Sequence, residues 1–194
     1  MIKITDEHIK DGKLDREALA GFGADAVEFE GDNIIFNCEV AFYRCPSLRS
    51  VSGATFNGYV EFCECNNLSS VGGATFNGNV VFASCHSLAS FSGVIFNGDV
   101  KFWECDSLTS VFGATFNSYV EFSCCDSLNS FSGTTFNNYV EFYYCANLAS
   151  VEGATFNGYV KFLYCNSLTS VSGATFKKGF EAEGCPKLKQ KELK

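Results

Sequence analysis

The chain predicts a mainly β protein, a solenoid of twenty-residue coils stacked through a parallel sheet, and three observations carry that expectation. First, from Phe42 to Cys185 the residues repeat at a period of 20, so that Cys45, Cys65, Cys85, Cys105, Cys125, Cys145, Cys165 and Cys185 form one column, and Leu48 to Leu188 another. A period this short has no room for two helices, which leaves one coil per repeat. Second, Tyr59, Val60, Glu61 and Phe62 alternate out, in, out, in, the period of a half-buried strand. Third, Gly53, Gly73, Gly93, Gly113, Gly133, Gly153 and Gly173 occupy an unbroken corner column.

Taken in chain order, residues 1–30 read as a cap. Leu14–Phe22 places Leu14, Leu19 and Phe22 at helical spacing with acidic residues early and Gly23 as a stop, an amphipathic helix suited to covering the first coil. Residues 31–188 read as a repeat array of about eight coils. Within the unit VSGATFNGYVEFCECNNLSS, the columns of Val51, Ala54, Phe56, Val60, Phe62, Cys65 and Leu68 are apolar and point inward. The main strand runs through 59–62, a second through Ala54–Phe56 and a third from Leu68 to Val71. Asn57 with Gly58 marks a corner that tolerates positive φ, and the Asn column 57, 77, 97, 117, 137 and 157 predicts a ladder of side-chain amides. Residues 189–194 read as a charged tail.

Composition narrows the function classes. Phe occurs 21 times and Pro twice, as expected of a continuous aromatic core. Between Val51 and Phe176 the only basic residues are Lys101 and Lys161, against nine Asp and Glu, so no electrostatic footprint for nucleic acid exists there. Cysteines twenty apart stack along the coil axis, so the eleven thiols read as buried, small hydrophobes rather than a disulfide framework, and no zinc spacing occurs. No metal or cofactor is expected. No secretory h-region or apolar run of membrane-spanning length is present. The default expectation is therefore a reduced, cytoplasmic setting, with signal-independent export left open.

Val60, Phe62, Cys65, Leu68 and Val71 reproduce the spacing of bacterial leucine-rich repeats. The submotif of Phe102, Cys105, Ser107, Leu108, Ser110 and Val111 resembles the Treponema-type repeats of bacterial surface proteins, and the twenty-residue length is similar to the short repeats of bacterial secreted effectors. The resemblance covers about three quarters of the chain. It departs from both kinds in lacking their Pro-containing segment, replaced here by SGATF, and in Phe standing where Leu is usual. It implies a right-handed solenoid used for binding other proteins.

With 60 and 62 inward, columns 59, 61, 63 and 64 form the exposed face of the main sheet. There Tyr119, Tyr139, Tyr143, Tyr144, Tyr159 and Tyr164 gather in the later coils, with Glu121, Glu141 and Lys161 among them and Trp103 nearby. Tyr and Trp with a few charges are the usual content of interaction hot spots, so this face is the candidate partner-binding site. The plainer reading is that Tyr and Glu are good exposed strand residues. The expected partner is another protein, with a homodimer through an edge or the aromatic face as the main variant. The alternative class is an ice-binding or carbohydrate-binding face built from the column of Thr55, Thr75, Thr115, Thr135, Thr155 and Thr175 and its Asn neighbours, interrupted by Ile95. A polysaccharide-active enzyme ranks below both. Glu121 and Glu141 stack about 5 Å apart like a retaining glycosidase pair, but a column that continues into Lys161 reads better as ladder electrostatics.

Overall fold

The computed structural model describes residues 1–91 and 93–189. The chain winds into a β-solenoid of about seven turns. Each coil gives a four-residue strand to a broad sheet, beginning with Val40–Tyr43 and ending with Phe180–Glu183, and a two-residue strand such as Thr55–Phe56 to a second sheet. Both sheets are nine-stranded and, but for one strand, parallel. Register never slips: Val60 lies opposite Val80 and Phe62 opposite Phe82, and the same pairing recurs to the end of the stack. A one-residue slip would turn every Phe of the strand to solvent.

The third extended piece is much reduced. In place of a strand over Leu68–Val71 there are isolated bridges such as Ser50 to Ser70 and Ser110 to Ser130. Leu68 N–H is drawn back to the Cys65 carbonyl and Ala74 N–H to that of Val71, and between these turns Ser69 and Ser70 N–H share the Arg49 carbonyl, so the contact with the next coil does not develop into a regular ladder.

All seven predicted inward columns are buried in the type unit, from Ala54 at 3% exposure to Leu68 at 0%. Two files of phenylalanine run the length of the core. Rings of the Phe36–Phe176 file stack with centroids 4.9–5.1 Å apart. Those of the Phe42–Phe162 file are 4.5–5.2 Å apart, and the two files meet edge-to-face at 5.9–6.5 Å. Both geometries satisfy the ring quadrupole.

The eleven cysteines are free thiols. Those of the column do more than fill space: Cys45 Sγ donates to the Ile4 carbonyl at 3.3 Å, and from Cys65 onward each Sγ donates to the carbonyl of the preceding coil's core Phe, as Cys65 to Phe42 at 3.5 Å and Cys125 to Phe102 at 3.7 Å. A small apolar side chain with a weak donor suits a dry corner where a carbonyl has a spare lone pair. The Asn ladder forms as expected and starts one coil earlier. Asn57 Nδ2 donates to Asn37 Oδ1 at 2.7 Å, and each later Asn repeats the bond up to Asn157 onto Asn137 at 2.6 Å.

Corners differ from expectation in two ways. The Gly53 column does hold positive φ, between 64° and 80°. Gly58 and its equivalents do not; at Gly78 a Cβ would sit 2.3 Å from the Gly58 carbonyl oxygen, whereas Ser118 and Asn138 take the same column with side chains. The other left-handed corner is column 64, where Arg44, Glu64, Ser84, Glu104, Cys124, Tyr144 and Tyr164 hold φ of 50–56° without being glycine. Column 64 is thus a corner, not part of the sheet face, because the chain leaves the strand at 63 to bring Cys65 inward.

The N-terminal cap is more elaborate than a helix. Ile2–Ile4 adds the first strand of the broad sheet, parallel to Val40–Phe42, and the hairpin of Val27–Glu30 with Asn33–Phe36 closes the second sheet. The helix itself is one turn, Arg16–Leu19, capped by Asp15 accepting from Glu17 N–H at 3.0 Å. It tightens into a 3-10 turn over Ala20–Phe22 at Gly21, and Gly23 stops it with φ 84°. Leu19 is fully buried over the first coil. The predicted tail lies outside the described residues from position 190 onward.

Candidate interaction face

The outward positions of the broad sheet carry the predicted site residues, and the structure sorts them into two groups. Tyr119, Tyr139 and Tyr159 form a half-buried file at one margin, with ring centroids 5.5 and 6.4 Å apart. Tyr119 donates its hydroxyl to Glu121 Oε2 at 3.0 Å, and Tyr139 to Glu141 at 3.2 Å. Burial, with these carboxylates alongside, raises Tyr119 above the ordinary phenol range and pushes Tyr139 up to about 12. A neutral hydroxyl that donates a hydrogen bond to a carboxylate is held in place. This file is therefore tied into the sheet.

The acids between the margins are also engaged. Lys101 Nζ lies 3.1 Å from Glu121, and Lys161 bridges to Glu181 at 3.5 Å rather than to Glu141 beside it. Glu121 and Glu141 do sit in register on neighbouring strands, each with a Tyr hydroxyl donating to it.

At the opposite margin the second group is freer. Tyr144 and Tyr164 stack at 4.8 Å, and Tyr143 meets Tyr144 edge-on at 4.5 Å and Tyr164 at 6.2 Å. Tyr144 is 45% and Tyr164 37% exposed. Leu163 follows Tyr143 in the same column, and Cys124 precedes Tyr144 in the corner column. Trp103, 55% exposed, stands two coils below Tyr143 with Ser123 between. Strand spacing of about 4.8 Å puts Trp103 roughly 10 Å from the Tyr143 backbone. The Trp and the corner tyrosines thus share one apolar stripe.

Leu163 and Cys124 join that stripe without having been singled out as partner-binding. The available signals were the column at 63, which reads Tyr43, Cys63, Ala83, Trp103, Ser123, Tyr143 and Leu163, and the column at 64, where Cys124 precedes Tyr144 and Tyr164. Tyr43 is also exposed, but Arg44 lies 5.0 Å from its ring and bridges to Glu64 at 2.8 Å. On the second sheet, Thr55 accepts from Asn33 Nδ2 at 3.2 Å, and the neighbouring Asn amides are spent on one another. Among the described residues no group of three or more His, Cys, Asp or Glu side chains is arranged to hold a metal ion, and no helix is long and apolar enough to cross a membrane. No family model, curated protein or solved structure matches the chain.

Proposed function

We propose that the protein is a recognition module that binds another protein through the aromatic stripe of Trp103, Tyr143, Tyr144, Leu163 and Tyr164. One observation carries this reading: two neighbouring coils place Tyr, a bulky residue, in left-handed corners at φ 52° and 56° and stack the two rings in the open. A bulky side chain at positive φ is disfavoured by about 1 kcal/mol or more. Every coil holds this corner at positive φ whatever its residue, so what fits a surface kept for contact is that these two coils fill it with exposed, stacked Tyr. The surrounding coils are acidic, with nine Asp and Glu against two Lys from Val51 to Phe176. The fitting partner is therefore a protein surface with Arg or Lys beside apolar side chains, which Tyr faces and carboxylates receive together. A module of this kind accords with kinship to bacterial leucine-rich repeats.

The test is capture from native lysate followed by mass spectrometry, with wild type beside Tyr144→Ser/Tyr164→Ser and Tyr119→Ser/Tyr139→Ser/Tyr159→Ser. A partner lost from the corner variant and kept, at reduced yield, by the strand variant supports the assignment. Equal retention by all three proteins contradicts it.

A further inference from the structure

The two ends of the solenoid carry opposite charge in matching columns, and from this we propose that copies of the chain dock head to tail, the C-terminal coil of one against the N-terminal cap of the next. Residues 1–39 hold ten Asp and Glu against four Lys and Arg, whereas residues 177–189 hold four Lys against two Glu. Net charge alone is coarse. The column positions decide more.

In the second sheet the Asn ladder ends in charge on both sides. At the head its first amide, Asn37, donates to the Glu28 carboxylate. At the tail Asn157 Oδ1 is buried without a hydrogen-bond partner, and the next position is the exposed Lys177. Glu28 itself is in register with Ile35, two residues off the Asn column, but its carboxylate reaches Asn37, so stacking another copy would bring Lys177 toward that carboxylate.

In the broad sheet the polarity is reversed. Lys3 is in register with Ala41, in the column that continues through Lys101, Glu121, Glu141 and Lys161 to Glu181. A second copy's Lys3 would fall next to Glu181, repeating the Lys161–Glu181 contact one rung further on. Head-to-tail stacking makes both pairs opposite in sign. Tail-to-tail pairing of like sheet on like sheet would set Lys177 near Lys177 and Glu181 near Glu181, so the charges favour head-to-tail docking over that arrangement.

The apolar surface has the same asymmetry. Phe176, Phe180, Ala182 and Cys185 are core columns left half-buried, and among the described residues no strand pairs with the outer edge of Phe180–Glu183. Ile2–Ile4 and Val27–Glu30 likewise have one unpaired edge each. A head-to-tail contact is heterologous and does not close on itself, so it builds open filaments.

The experiment is sedimentation velocity on the full chain across a range of concentrations. Mean mass is expected to grow without a plateau at two copies, and to fall as ionic strength rises from about 10 mM to about 1 M, where the Debye length shrinks from ~30 to ~3 Å. Lys177→Glu and Glu28→Lys should each weaken association by about tenfold or more. An equimolar mixture of the two should assemble again, because each tail then meets a head of opposite charge. Melting curves of both variants confirm folding, and the rescue on mixing separates repulsion from damage. Monomer at every concentration overturns the proposal, including the case in which the chain's own last residues cover the tail. A plateau at the dimer, or assembly indifferent to both reversals, overturns it as well.

Discussion

The first and last turns of this solenoid solve the same problem differently. At the head, Ile4 is 1% and Leu19 0% exposed, because a strand, a hairpin and a helical turn close the column. At the tail, the corresponding Phe180, Ala182 and Cys185 stay half-buried in the core register. In a stack each coil is held by its neighbours, so a residue's worth depends on whether it has one neighbour or two. The difference teaches that identical repeats are not energetically equivalent.

Truncating aromatic rings along the files tests this most strongly. Phe102 is fully buried between Phe82 and Phe122, and Phe102→Ala should cost about 4 kcal/mol, read from urea or thermal unfolding followed by circular dichroism. Leu19→Ala, which uncovers the head, should cost about 3 kcal/mol. Phe180→Ala, in the last described coil, should cost only about 1 kcal/mol, and a loss equal to that of Phe102→Ala would mean that the tail is packed as tightly as the middle of the stack.

Backbone approach between coils gives the next effect. Gly78→Ala drives a methyl group into the Gly58 carbonyl and should cost about 2–3 kcal/mol. Gly179→Ala, in the last turn, meets no neighbouring atom and retains only the strain of φ 82°, about 1 kcal/mol. Equal losses would show that turn geometry, not coil stacking, selects glycine at position 78.

Smaller still is the ladder term. Asn97→Ala leaves Asn77 Oδ1 and Asn117 Nδ2 without their amide partner at an exposed margin, a loss of about 1 kcal/mol. Asn157→Ala, with one bond to lose, should cost about half as much.

The slightest effect concerns pH. The Tyr139 hydroxyl is pushed up to about 12 by burial and the Glu141 carboxylate, while an unfolded tyrosine ionises near about 10. The folded state keeps the proton longer, so this contribution is whole below about 10 and is lost as pH rises through about 12. Unfolding free energy should therefore fall more steeply over that window in wild type than in Tyr139→Phe. Parallel slopes would show that the hydroxyl is not held by Glu141.

Much of the fold was legible because twenty-residue spacing turns chemistry into columns. The inward Phe, Leu and Cys files, the Gly53 corner and the Asn ladder each repeat one residue type, and repetition of a type is visible in a sequence. The left-handed corner at 64 was not visible, since Arg, Glu, Ser, Cys and Tyr share no preference for positive φ. That corner is imposed by its neighbours, by the strand ending at 63 and the thiol at 65 turning inward. Ile2–Ile4 was missed for another reason, as a three-residue strand has no periodicity of its own and gains its partner from Val40–Phe42 far along the chain. The aromatic face was named residue by residue, yet its division was hidden. Only geometry separates Tyr119 and Tyr139, which donate to carboxylates, from Tyr144 and Tyr164, which stack in the open.

The cysteine column offers a built-in ruler for the difference between the ends. The most direct measurement is native-state thiol labelling resolved by mass spectrometry, with dilute protein at high salt so that copies stay apart. Cys45 through Cys145 are fully buried and donate to the coil before them, so their labelling should wait for global unfolding. Cys165 should react sooner and Cys185 soonest, through fraying of the last turn alone. Equal rates at Cys45 and Cys185, or one common rate along the column, would contradict a solenoid whose described residues close the head and leave Phe180, Ala182 and Cys185 half-buried at the tail.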